Sequence, residues 1–429
     1  MSLHTIGSDT KYVLPCSYDA VPEAFRSNKS AKPIPCVLQT VNIPSLSGTQ
    51  SLGGSSIIQV PCGASAGLMM NPYIRFTVQF SSAGAVANSS FFFKGGARAA
   101  TACINRLSSY VNSVQVDNIQ NAWAVWDNLL LHSTSNDWLT HDGTLMLGAG
   151  VEYLQPAAGA TSSQSYTFCV PLIGLLGSQS ALPAYLVNGT LQVQIDWQSS
   201  VYGCYIAGAN DPVWTGAQFS NVQLVYDRIM PEQAFVDRVR SDMLQGHKYV
   251  MGYTNYATTL LNIASGGATN NLNYGVNVSS LRGVLAAQYQ TSLLANSGNA
   301  APISNDLSNF QLSVDGRLIS TVILDSLNTP ALVFAELQKT MGRVFDASIT
   351  DTVVNTATAA QASAAANASG GNFLTNCFAV GVSTQRVNEG LAFSGTPCSV
   401  AALQIVTNAT TNNITSVASS MYIVFISDF

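Results

Sequence analysis

The pentapeptide "GASAG", Gly63 to Gly67, matches G-x-S-x-G and nominates Ser65 as a nucleophile. A nucleophile elbow needs a strand before the serine and a helix after it. Here the following residues are "LMMNPYIRFTVQF", which read as a strand, so the match is a small-residue turn rather than an elbow. Four histidines, His4, His132, His141 and His247, are the other candidate bases. His141 with Asp142 in "THDGT" could be drawn as a base and its orienting acid, but the segment reads more simply as a turn. The eight cysteines, at 16, 36, 62, 103, 169, 204, 377 and 398, form no CxxC pair and have no histidine at ligand spacing. They read as small, mostly buried thiols of a reducing compartment, with no zinc. P-loop, GxGxxG, HExxH and EF-hand patterns are absent, and the acids are too scattered for a glycosidase pair. The sequence therefore predicts no enzyme, no catalytic or metal-ligating residues and no cofactor.

What remains is a chain with little charge to spend on chemistry of any kind. Of 429 residues, 17 are Lys or Arg and 22 Asp or Glu, for a net charge of −5. Charged residues make up 9% of the chain, against roughly 25% in an ordinary soluble domain. Charge normally keeps soluble molecules apart, and interface cores are depleted in Lys, Glu and Asp. Two readings follow: a surface that ends against other subunits, or a neutral, Asn- and Thr-rich secreted β protein. Residues 1–35 hold Lys11, Arg26, Lys29 and Lys32 against Asp9, Asp19 and Glu23. That is not a polybasic arm, so no direct nucleic-acid binding is expected. The sequence has no apolar run of membrane-spanning length, and its first residues lack the apolar core of a signal peptide. The sequons "NGT", "NVS" and "NIT" are set aside on that ground.

The elements that would have to position any site are short strands. "YIRFTVQF" places Ile74, Phe76, Val78 and Phe80 on one face; "LQVQIDW" does so with Leu191, Val193, Ile195 and Trp197. "CVLQTVNI", "SIIQVPC", "SYTFCVPL", "NVQLVYDRI", "NFQLSV", "CFAVGVS", "VAALQIV" and "MYIVFISDF" are further candidates, mostly bounded by Gly, Asn, Ser or Pro. Three segments read as helix. "NAWAVWDNLLLHS" carries Trp123, Trp126 and Leu130 at i, i+3 and i+7, a stripe that suits a core better than an aromatic binding face. In "TPALVFAELQKTMGRVF", Thr329 is placed as N-cap and Pro330 as N1, with Val333, Leu337, Met341 and Val344 on one face. The third lies in "DRIMPEQAFVDRVRSDMLQGHK", residues 227–248, where eight charged residues are gathered. Pro231 could start it, and Phe235, Val239 and Met243 share a face.

The first two helices follow similar strands, "NSVQVDNIQ" and "FQLSVDGRLIS", whose Asp-Asn and Asp-Gly pairs read as tight turns. Val116-Asp117 and Val314-Asp315 stand 198 positions apart, near half of what is left after a 35-residue arm. The chain thus reads as two copies of one β-rich unit, with the charged stretch as a helix joining them. "DTVVNTATAAQASAAANASGG", residues 351–371, reads as a long loop at one end of the second copy.

"RLSSYVNSVQVDNIQNAWAVWDNLLL" and "SYTFCVPLIGLLGSQSALPAYLVNGTLQVQIDW" resemble the first half of double jelly-roll major capsid proteins of icosahedral DNA viruses. "NVSSLRGVLAAQY", "NDLSNFQLSVDGRLIS" and "ALVFAELQKTMG" resemble their second half. The resemblance runs from about residue 36 to 429. It implies an all-β fold of two tandem eight-stranded jelly-roll sandwiches with a few short helices. The expected division is an N-terminal arm, 1–35; a first jelly roll, 36–230; and a connecting helix with the second jelly roll, 231–429. It further implies pseudo-hexagonal homotrimers that tile an icosahedral shell. Expected partners are other copies, neighbouring trimers, penton and minor capsid proteins and, where present, an internal membrane. The place would be the virion, reached without a signal peptide. The alternative function is a secreted or surface β-sandwich that binds carbohydrate.

Overall fold

The structure is a computed structural model that describes residues 36–428, apart from 64, 83–89, 152, 155–164, 178–181, 188, 208–213, 247–251, 297–299, 320–321, 327, 342–376, 386–394, 409, 412–413 and 416. The arm 1–35, His4, His247, Val344 and the Ala-rich segment 351–371 lie outside the described residues.

The first half is built from eight principal strands. They are β1 (Cys36–Pro44), β2 (Ser55–Val60), β3 (Leu68–Ser82), β4 (Ile104–Val111), β5 (Val114–Gln120), β6 (Ser165–Pro171), β7 (Leu191–Trp197) and β8 (Trp214–Pro231). One sheet runs β1-β8-β3-β6 and the other β2-β7-β4-β5, all antiparallel. Strands distant in sequence are thus neighbours, and two four-stranded sheets face each other: the jelly-roll topology. The alternation read from the sequence faces inward. Ile74, Phe76, Val78 and Phe80 of β3 and Leu191, Val193, Ile195 and Trp197 of β7 are all buried. Trp197 stacks on Phe219 of β8 at 4.2 Å and meets Phe76 at 5.0 Å, so aromatic rings bridge the sheets. Each such burial contributes roughly 1.5–3 kcal/mol.

The second half repeats the plan with β9 (Thr254–Ile263), β10 (Ala268–Gln290), β11 (Leu307–Val314), β12 (Arg317–Leu318), β13 (Val380–Ser383), β14 (Thr396–Thr407) and β15 (Ser419–Asp428). β10 serves twice. Its first part pairs with β14 and its last part with β15 and β13. Register shifts at Gly275/Val278 and Val278/Leu281, with Asn277 at φ +51°, let one strand pass from sheet to sheet. The orders are β9-β15-β10-β13 and β10-β14-β11-β12. Position by position, these match β1-β8-β3-β6 and β2-β7-β4-β5. The fold is all-β, two tandem eight-stranded jelly rolls with a few short helices.

The three expected helices are present as α1 (Ala122–Ser133), α2 (Gln233–Leu244) and α3 (Pro330–Thr340). The sequence offered Pro231 as the start of α2; instead it ends β8, and the helix begins two residues later. The buried residues of α2 are Val236 and Val239, which pack on Tyr185; Met243 is exposed. In α3, Pro330 stands at the N-terminus as expected, but the Thr329 hydroxyl donates to Asp325 O instead of capping the helix.

The expected turn at Asp117-Asn118 is corrected. Asp117 lies inside β5, and the tight turn before it is Asn112-Ser113, both at positive φ (52° and 65°). In the second half the turn is at Asp315-Gly316, as expected (φ 47° and 77°). Asp117 stays in the strand because its buried Oδ2 accepts the Leu175 N–H at 2.9 Å. Gly174 makes room for it: a Cβ there would stand 1.8 Å from that oxygen.

Candidate assembly surfaces

The residues with the strongest chemical potential do not converge. Ser65 is exposed in a turn, and the chain after it enters β3 at Leu68, not a helix. The glycine at the end of the motif, Gly67, has φ +74°, and a Cβ on it would lie 2.5 Å from Ile229 O, so β8 sets this residue. His132 is fully buried, and burial pushes its pKa down to about 3, which leaves a neutral imidazole sealed from solvent. His141 is exposed and turns to Asp137, not Asp142: its Nδ1 lies 2.8 Å from Asp137 O and 3.2 Å from Asp137 Oδ1. "THDGT" turns at His141 between two short helices, Asn136–Thr140 and Asp142–Leu147. Seven cysteines are described, all free: Cys103, Cys204, Cys377 and Cys398 buried, Cys62 and Cys169 half-buried, Cys36 exposed. Among the described residues no three His, Cys, Asp or Glu gather as metal ligands. No described helix is long and apolar enough to cross a membrane. Trp123, Trp126 and Leu130 are core.

The interactions of greatest reach lie where the two rolls meet. The open edge of β5 is covered by β9 and the residue before it. The Tyr253 hydroxyl donates to Val116 O at 2.9 Å, and the Thr258 hydroxyl donates to Gln120 O. Alternate carbonyls of an edge strand point the same way, so two side-chain donors replace part of the missing ladder. Beside this edge, α1 packs on the outer face of the second roll. Trp123 meets Tyr289 of β10 at 5.1 Å and Tyr422 of β15 at 5.0 Å, both edge-on. Trp126 Nε1 donates to Pro171 O at 3.1 Å and ties the same helix to its own roll.

Two buried charges complete the seam. Asp127 of α1 accepts from Ala97 N (2.8 Å), Gly96 N (3.0 Å) and the Tyr289 hydroxyl (2.9 Å). Burial raises its pKa, while these three donors oppose the rise. Lys94 Nζ donates to the carbonyls of Leu293 (2.8 Å), Leu294 (3.2 Å) and Asn296 (2.6 Å). It thereby satisfies the end of the short helix Thr291–Leu294, whose last carbonyls lack helical partners. Burial pushes the Lys94 amine down to about 8. A buried charge without partners would cost several kcal/mol, and here three acceptors fix the geometry of one roll against the other. No local sign in the sequence marks these partners, which lie 162 to 202 positions apart.

The outer surfaces differ between rolls. In β15, every residue from Ser419 to Ser427 is buried, and Tyr422 among them packs against Trp123 of α1. In β3 of the first roll, burial alternates: Arg75 is exposed, and Thr77 and Gln79 are half-buried. At the edge of that sheet β1 is exposed over Cys36–Thr40, with Val37 and Leu38 at 64% and 68% exposure.

The topology has known counterparts. PBCV-1 VP54, in a structure fitted into a reconstruction of the virophage Sputnik, superposes with a TM-score of 0.61 at 12% identity, over 94% of this chain and 96% of that one. The fold is that of viral major capsid proteins. A quasi-atomic model of the PBCV-1 virus capsid gives a TM-score of 0.61 at 13% identity, again over 94% of this chain and 96% of that one. The Faustovirus major capsid protein gives 0.57 at 6% identity, over 97% and 94%. No family model and no curated protein sequence matches this double jelly-roll chain.

Proposed function

We propose that this double jelly-roll chain is a major capsid protein whose homotrimers form pseudo-hexagonal tiles of an icosahedral virus shell. The observation that carries the reading is the likeness to PBCV-1 VP54 over nearly the full length of both chains. Sparse charge supports it, since tiles must lie flank to flank. In this reading residues 36–230 form the first roll, residues 231–429 the connecting helix and second roll, and 1–35 an arm. Two rolls in each of three chains supply the six corners of the tile. The protein is structural, with no catalytic centre, no cofactor and no sequence-specific grip on nucleic acid. Its place is the virion, with neighbouring trimers, penton and minor capsid proteins, and an internal membrane where one is present, as partners.

The test is the mass in solution. Size-exclusion chromatography with light scattering should give about three times the chain mass of 45.2 kDa. A compact monomer at high concentration would contradict the reading.

A further inference from the structure

Cys103 closes a 3-10 turn, Ala100–Cys103, just before β4, and Cys204 closes a short helix, Val201–Cys204, just after β7. β4 and β7 pair with each other as far as Ile104 and Trp197, and the next N–H, of Gln198, donates to Cys103 O at 2.9 Å. The chain then makes one helical turn, and the Cys204 thiol donates back to Ser200 O at 3.8 Å. This path lays the two short helical segments side by side and brings the thiols into a hydrogen bond. Both cysteines are fully buried.

Lys94 is the third member of the group. The strand Ser90–Phe93 pairs with Tyr205–Ala207, and the Lys94 N–H that follows it donates to Cys204 O at 3.1 Å. The Lys94 ammonium is near enough for its charge and that of a Cys204 thiolate to stabilise each other. A cation beside a thiol favours the thiolate, which is the reactive form. Burial and the hydrogen bond to Cys204 keep Cys103 as the thiol. The other buried cysteines have the opposite surroundings. Cys377 lies near the Asp127 carboxyl and Cys398 near that of Asp315, and each carboxylate opposes a thiolate.

We propose that Cys204 and Cys103 are a redox-active pair, in which Cys204 reacts with a small peroxide and Cys103 closes a disulfide on it. The Cys204 thiolate attacks one peroxide oxygen; the S–O bond forms, the O–O bond breaks, and hydroxide leaves. The Cys103 sulfur then attacks the sulfenic acid; the S–S bond forms, the S–O bond breaks, and the second oxygen leaves as water with the Cys103 proton. Two thiols and one hydrogen peroxide thus give one disulfide and two waters, with two electrons passing from sulfur to oxygen. The chemistry stands apart from the capsid reading, which supplies only its occasion. A shell protein is made where glutathione keeps thiols reduced and meets oxidants after leaving the cell. The bond would then tie the start of β4 to the chain after β7.

The test uses the full-length protein. Accessible thiols of the native protein are blocked with iodoacetamide, hydrogen peroxide is added, and the chain is unfolded, digested without reduction and mapped by mass spectrometry. A cross-linked peptide joining Cys103 to Cys204, lighter by two hydrogens and released by dithiothreitol, is expected, while Cys377 and Cys398 stay thiols. The thermal midpoint should rise by roughly 5–10 °C on oxidation and return on reduction. In Cys103→Ala, a sulfenic acid should accumulate on Cys204, where dimedone traps it; in Cys204→Ala, Cys103 should remain a thiol. Cys103 and Cys204 recovered as free thiols from the peroxide-treated wild type would overturn the proposal. Oxidation spread evenly over Cys103, Cys204, Cys377 and Cys398 would also overturn it, as would a sulfenic acid on Cys103 in Cys204→Ala.

Discussion

Asn112 and Asp315 do the same work in the two rolls. Each opens a tight turn in the left-handed region, at φ 52° and 47°. Asn112 N donates to Thr190 O, and Asn112 Oδ1 accepts from Thr190 N. Asp315 N donates to Val400 O, and Asp315 Oδ1 accepts from Val400 N. One residue thus binds both backbone groups of a residue at or beside the neighbouring strand, β7 or β14, and fixes the hairpin against it. The fold repeats this device at an offset of 203 positions, from Asn112 to Asp315.

Replacing either residue separates the two contributions. Asn112→Gly keeps the backbone geometry and loses the side-chain acceptor; Asn112→Ala loses both. The expected cost is about 1 kcal/mol for glycine and about 2–3 kcal/mol for alanine. The same order is expected for Asp315. Chemical unfolding curves of the four variants check this, and equal costs for glycine and alanine would show that backbone geometry does not matter there.

How much of this was legible is clear at the turn. The sequence pattern matched Asp117 to Asp315, five residues away from the true equivalence. Val-Asp occurs in both halves, but the first sits inside a strand where a distant N–H, that of Leu175, holds it. A local reading cannot see such a partner. The strands β3 and β7 were legible because one face of each is buried and the other is not. β10 was not among the strand candidates. Its first part is rich in Asn, and bulges carry it from one sheet to the other. α1 was legible as a buried helix, yet not as the contact between rolls, because Tyr289 and Tyr422 lie in the other half.

Asp117 gives a pH dependence. Burial raises its pKa from 3.8 to about 6, against the pull of the backbone N–H groups of Leu175 and Asn118. Its Oδ1 is buried without a hydrogen bond, and Tyr253 and Tyr256 face it. A raised folded-state pKa means that the native state binds the proton more tightly than the unfolded chain. The stabilising contribution is complete below pH about 4 and is lost as pH rises through about 6. Its size is on the order of 3 kcal/mol. Asp117→Asn should remove this contribution to the slope of stability between pH 4 and 6. An unchanged slope in the variant, measured by chemical unfolding at a series of pH values, would contradict the assignment.

The seam should be most sensitive at its buried polar groups. Lys94→Met leaves three carbonyls without their donor, at an expected cost of about 2–4 kcal/mol. Tyr289→Phe costs less, about 1–2 kcal/mol, because Asp127 keeps the N–H groups of Gly96 and Ala97. Hydrogen exchange should show lost protection around Thr291–Leu294 in the Lys94 variant first. Protection unchanged from wild type would mean that this lysine does not tie the rolls together.

The most direct measurement is electron microscopy of the purified full-length protein. Class averages should show a near-sixfold outline made of three chains, each contributing two lobes. Isolated two-lobed particles at every concentration, or rings with another number of chains, would contradict the tile.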